Sequence, residues 1–69
     1  MPRIMICWVV RLNRLYLLEW NVGGVKMDCD LQRAFRYQSE RDAAFVAKKI
    51  CGEVVKCQVS DKGLEVIRE

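Results

Sequence analysis

The stretch Ser39–Gly52, SERDAAFVAKKICG, decides the fold. Ser39 can accept a hydrogen bond from the free amides of a first helical turn. Glu40 and Asp42 suit the positive end of the helix dipole, and Gly52 supplies a stop. At roughly 100° per residue, Ala43, Val46, Ala47 and Ile50 fall on one narrow apolar stripe. The spacing predicts a single helix over 39–51, its alanine side lying close against a second layer. Phe45 falls opposite Ala43, beside Arg41, Lys48 and Lys49. A ring on a cationic face has three readings. Arg41 and Lys49 can lay their aliphatic stems over it as a shield. It can anchor contact with a partner protein. With Arg33 and Arg36 just before the helix and Arg41, Lys48 and Lys49 on it, Phe45 or Tyr37 can also stack on the bases of a nucleic acid.

Working outward, the flanking segments read as strands. In Ile4–Leu12, Ile4, Ile6, Trp8, Val10 and Leu12 share one side, and Met5, Cys7, Val9 and Arg11 the other. Arg14–Trp20 sets Tyr16, Leu18 and Trp20 against Leu15, Leu17 and Glu19. Asn13 between them tolerates the left-handed backbone of a tight turn, which predicts a hairpin. Gly23-Gly24 reverses the chain again, and Val25–Cys29 forms a short third strand with Val25, Met27 and Cys29 on one face. Asp30–Arg33 is one helical turn capped by Asp30, and Ala34–Tyr37 is extended. After the helix, Glu53–Val59 is a strand, Asp61-Lys62-Gly63 a turn, and Leu64–Ile67 a short edge strand.

The order β-β-(β)-α-β-β, with tight reversals, predicts an α+β two-layer sandwich. An antiparallel sheet of four to five strands carries the 39–51 helix on one face, in one domain over residues 1–69. Trp8, Tyr16 and Trp20 or their neighbours fill the space around the helix, with at least one tryptophan in the core. The periodicity leaves open which sheet face the helix covers. The other face stays apolar and calls for cover, by a homodimer for example.

Composition narrows the function. A 69-residue chain of this size buries only ~60% of its unfolded surface, yet 52% hydrophobic content is far from a disordered profile. Apolar excess in so small a body favours a partner or self-association. The net charge of +3 and pI of 8.8 fall short of the pI above ~9 with clustered charge typical of nucleic-acid binders. The longest apolar run, Ile4–Val10, is far shorter than the ~20 residues a spanning helix needs. Met1-Pro2-Arg3 before that run resembles the start of a signal peptide, but no small-residue cleavage site follows, so a cytoplasmic protein is expected. Met5 could serve as an internal start.

Catalytic chemistry finds little footing. Histidine is absent, removing the commonest general base. Ser39, Ser60 and Cys29 read as helix cap, turn residue and strand end, and Asp30 of the Asp28/Asp30 pair reads as a cap. Gly23-Gly24 is too short to cradle a phosphate, and no cofactor fingerprint is present. No enzyme activity and no cofactor are expected. Cys7, Cys29, Cys51 and Cys57 lie 22, 22 and six positions apart. That spacing is poor for zinc, and two disulfides would require an oxidising compartment for which no targeting signal is present; buried or half-buried thiols are expected, with no metal, and the sequence leaves open whether any two of them pair.

Trp20, Asp30-Leu31, Ala34-Phe35, Tyr37, Asp42-Ala43-Ala44, Val46-Ala47 and Gly52-Glu53-Val54-Val55 together resemble small bacteriophage and prophage α+β proteins. The likeness spans residues 4–59. The four cysteines and the apolar first strand depart from it. The resemblance implies a non-enzymatic protein that binds a host protein, a group that includes inhibitors of host defence such as anti-CRISPR proteins; other members are small DNA-binding regulators. The resulting expectation is stoichiometric protein–protein contact through Arg41, Phe45, Lys48 and Lys49, acting by occlusion in the host cytoplasm. The alternative is a small nucleic-acid-binding regulator using the same helix face, and a third reading is a homodimer closed by Phe45.

Overall fold

Asn13 adopts the left-handed backbone (φ 58°) that the hairpin reading requires. It joins β1 (Met5–Leu12) to β2 (Leu15–Asn21) in a computed structural model that describes residues 5–67. Ile4 and the Met1–Arg3 segment lie outside the described residues. The second reversal, at Val22-Gly23, leads into β3 (Gly24–Asp28). A single 3₁₀ turn (Leu31–Arg33) follows, then α1 (Glu40–Ile50), β4 (Glu53–Ser60) and β5 (Gly63–Val66). The five strands form one antiparallel sheet in the order β3-β2-β1-β4-β5, with α1 packed on one face. This is the expected α+β sandwich.

The helix covers the Trp8 side of the sheet. Val10 and Leu17 pack under Ala43, Val46 and Ala47, with Trp8, Met27, Tyr37, Ile50 and Val54 around them. Small residues on the helix stripe let it sit close while the strands supply the volume. Neither tryptophan is buried outright: Trp8 is half-buried at the edge of this cluster and Trp20 is 41% exposed. Tyr16 belongs to the opposite face, a correction set by register, because it lies across from Arg11.

That opposite face is not left bare. Cys7, Val9, Cys57 and Leu64 form a second small core closed by Ala34 and Leu31. The chain's own 3₁₀ turn supplies the cover that the sequence assigned to a second copy. Asp30 caps this turn as expected, accepting from the Gln32 amide at 2.9 Å. The Gln32 side chain then reaches the edge strand: its Nε2 donates to the Leu64 carbonyl at 2.8 Å, and the Leu64 amide donates to its Oε1 at 2.7 Å. A side-chain amide thus occupies an edge position that would otherwise invite another strand.

From this face the chain crosses to the helix face through a gap in the sheet. β1 and β2 pair only at Arg11/Tyr16 and Leu12/Leu15. Beyond that point residues 34–37 lie between them as an extended strap. The Phe35 amide donates to the Leu17 carbonyl (2.9 Å), and Tyr37 exchanges both backbone bonds with Trp8 (2.8 and 2.7 Å).

Two details of β2 and β3 depart from the alternation. The β2–β3 register shifts between Leu17 and Glu19, a bulge at Leu18 that carries Trp20 to the helix side. β3 ends at Asp28, so Cys29 is an exposed residue outside the strand rather than a partner of Val25 and Met27.

The ends of α1 also differ from expectation. Ser39 is the N-cap residue, but its hydroxyl makes no capping bond; its carbonyl accepts from Ala43 instead. At the other end the left-handed residue is Cys51 (φ 59°), and Gly52 follows it. The Gly52 amide bonds the Ala47 carbonyl at 2.8 Å and the Cys51 amide the Lys48 carbonyl at 3.5 Å, which is a Schellman stop. Glycine is needed at 52 for another reason: a Cβ there would stand 2.7 Å from the Arg11 carbonyl oxygen.

Candidate functional site

Phe45 sits in the middle of the outer helix face and is 57% exposed. Its position follows from the 3.6-residue repeat: with Ala43 and Val46 committed to the core, side chain 45 must project away from the sheet. The ring is not isolated. Trp20 meets it edge-on, with centroids 6.4 Å apart and planes at 81°, an arrangement made available by the β2 bulge. Lys49 Nζ lies 5.2 Å from the ring centroid, within cation–π range. The shielding reading is therefore half met: Lys49 leans over the ring, yet more than half of it remains open.

The strap contributes a second aromatic pair. Phe35, 51% exposed, and Tyr37, half-buried, stand 4.7 Å apart at 60°. In an extended segment residues two apart share a side, so both rings turn the same way. Backbone bonds to β2 and β1 hold them there. An open groove of about 550 Å³ runs between this pair and the helix, walled by Phe35, Tyr37, Phe45 and Val46, with Arg36 and Asp42 also lining it. Burial, and then the nearby Asp42 carboxylate, push the Tyr37 phenol above its ordinary value, so it stays protonated and can donate a hydrogen bond at neutral pH.

Charge around the groove is lopsided. Arg36 and Asp42 line the groove itself, and Arg41, Lys48 and Lys49 are exposed on the helix beside it, against Glu40 and Asp42 in its first turn. The ion pairs among the described residues are Arg11–Glu53, Lys26–Glu19 and Arg33–Asp28, and none draws on these four cations. The structure thus brings Arg41, Phe45, Lys48 and Lys49 together as one exposed helix stripe. It adds Trp20 and Phe35, which the sequence had not joined to it, and sets Arg36 and Tyr37, named from the sequence for a nucleic-acid contact, along the groove beside it. The signal for the strap was present in the alternation Phe35-Arg36-Tyr37; the signal for Trp20 was not, because it depends on a bulge.

The remaining chemistry-bearing residues have structural work. Asp28 accepts from the Asp30 amide (2.9 Å) and from Arg33 Nη1 (2.7 Å), so both aspartates build the loop before the strap. Cys7 and Cys57 are buried, whereas Cys29 and Cys51 are exposed. Among the described residues no cluster of three or more Cys, Asp or Glu side chains is placed to hold a metal ion. No described helix is long and apolar enough to cross a membrane. Comparison with protein-family models, curated proteins and solved structures finds no match to this chain.

Proposed function

We propose that this domain acts by stoichiometric binding to a partner protein, through the surface centred on Phe45 and walled by Phe35 and Tyr37. The observation that carries this reading is the convergence of three aromatic side chains, Phe35, Tyr37 and Phe45, on one groove of a 69-residue chain, with Trp20 edge-on against Phe45. Exposed aromatics beside Arg and Lys are the residue types that dominate interface energetics, because they cover large area with few rotatable bonds. Four cations that form no ion pair among the described residues, against Glu40 and Asp42, favour a partner segment that carries an apolar side chain flanked by Asp or Glu. The mechanism is occlusion: a small rigid body covers a functional surface of a larger protein, as an inhibitor of a host protein would. Rigidity comes from the strap, whose backbone is bonded on both sides, and from the helix, which is capped by the Schellman stop.

Selection from a library of random displayed peptides tests this. The expected consensus is an aromatic or long aliphatic residue with acidic neighbours, lost when Phe45→Ala or Phe35→Ala replaces the wild-type bait. Selection of no consensus, together with salt-sensitive binding of single-stranded or duplex oligonucleotides, would replace this reading with that of a nucleic-acid-binding regulator using the same face.

A further inference from the structure

The face opposite the groove holds a pair of thiols that none of the foregoing uses. The β1–β4 register sets Cys7 directly across from Cys57, so both side chains project to the same face, inside the cluster with Val9, Ala34 and Leu64. The neighbours reveal the kind of pair. Trp8 turns both its N–H and its C=O toward Tyr37, away from β4, and Lys56 turns its C=O to Ile67, away from β1. Backbone groups alternate sides along a strand, so Cys7 and Cys57 turn theirs toward each other. They form a hydrogen-bonded antiparallel pair, for which Cα atoms lie ~5.5 Å apart, inside the ~4.4–6.8 Å range that a disulfide spans. In a hydrogen-bonded pair the Cβ atoms stand at the wide end of the ~4.5–5.5 Å range, against ~3.5–4.5 Å in a disulfide, so closing the bond demands a local contraction on the order of 1 Å.

We infer that Cys7 and Cys57 are a latent, reversible disulfide site joining β1 to β4. The oxidant is a low-molecular-weight disulfide of the glutathione type. Cys7 attacks first because it keeps 5% exposure where Cys57 has none; burial raises its thiol above the ordinary value, and the Arg36 charge offsets part of that rise. The Cys7 thiolate displaces one glutathione thiolate, which takes up the proton Cys7 gave up, and leaves a mixed disulfide on Cys7. The Cys57 thiolate then attacks the Cys7 sulfur, closes the bridge and releases the second glutathione, which takes up the proton from Cys57. Both protein thiols are oxidised and one glutathione disulfide is reduced to two thiols. The closed loop runs from residue 7 to residue 57 and includes the hairpin, the strap and the helix, so the bridge constrains most of the unfolded chain. It lies on the sheet face away from the aromatic groove, and this inference stands independently of the binding proposal.

Cys29 and Cys51, both exposed, are removed as Cys29→Ser and Cys51→Gly, and the folded double variant is incubated with oxidised glutathione at neutral pH. After alkylation in denaturant, its intact mass should be lower than that of the reduced form by two hydrogens, with no alkyl group added. Dithiothreitol should reverse this, and the thermal midpoint of the oxidised form should rise by on the order of 10 °C. Tandem mass spectrometry of digested, oxidised wild-type protein should locate the same link without any variant. Full alkylation of both thiols, mixed glutathione adducts that never resolve, a bridge that forms only in denaturant, or a lowered midpoint would each overturn the inference.

Discussion

At the level of single residues, Cys51 and Gly52 exchange the roles their identities suggest. A left-handed cysteine carries the steric cost of a Cβ, whereas the glycine beside it sits where the Arg11 carbonyl leaves no room for one. Cys51→Gly should therefore stabilise the protein by about 0.5–1 kcal/mol. Gly52→Ala should destabilise it by about 2 kcal/mol or more, since backbone rather than a mobile side chain must yield. Urea unfolding of the two variants reads both signs at once. Cys57 gives a pH dependence of known direction. Burial, and then its neighbour Cys7, raise the thiol from 9.0 to about 11. The folded protein holds this proton after the unfolded chain has lost it. Stability should be level below pH 9 and fall as pH rises toward 11. Tyr37, also raised by burial, adds to the fall above its ordinary value of 10.0. Cys57→Val should flatten the lower part of the curve, measured as unfolding free energy against pH.

At the level of elements, the strap and the turn before it distinguish this domain from a plain sheet with a helix on one side. The Gln32 side chain replaces a strand at the β5 edge with two hydrogen bonds. Gln32→Ala should cost about 1–3 kcal/mol and release the Leu64 amide to rapid hydrogen exchange while the β1–β4 amides stay protected. Much of this architecture is legible from local pattern. The alternation of β1, the Asn13 turn, the alanine stripe and the Asp30 cap are each decided by neighbours in sequence, and each stands where the pattern put it. What the pattern does not carry is set by distant partners. The Leu18 bulge moves Trp20 across the sheet, the splay of β1 from β2 admits the strap, and the Ala34–Leu31 cover closes the second face. The first two of these also complete the aromatic surface around Phe45, so half of the candidate site was readable on the helix and half was not.

At the level of the whole molecule, one sheet supports two thin cores, and a chain of this size has little apolar surface to spare. Even so, it leaves Phe45, Phe35 and Trp20 in solvent on a single side. Energetics separate this surface from the core. Leu17 is fully buried, and Leu17→Ala should cost ~2–5 kcal/mol of stability. Phe45→Ala removes mainly the edge contact with Trp20, worth about 1 kcal/mol. The most direct measurement is the affinity of a selected acidic, aromatic-bearing peptide for the wild-type protein and for Phe45→Ala, with urea unfolding of both recorded alongside. A binding surface predicts a loss on the order of tenfold or more in affinity with stability lowered by only about 1 kcal/mol. Unchanged affinity, or a fall in stability as large as that of Leu17→Ala, would contradict it.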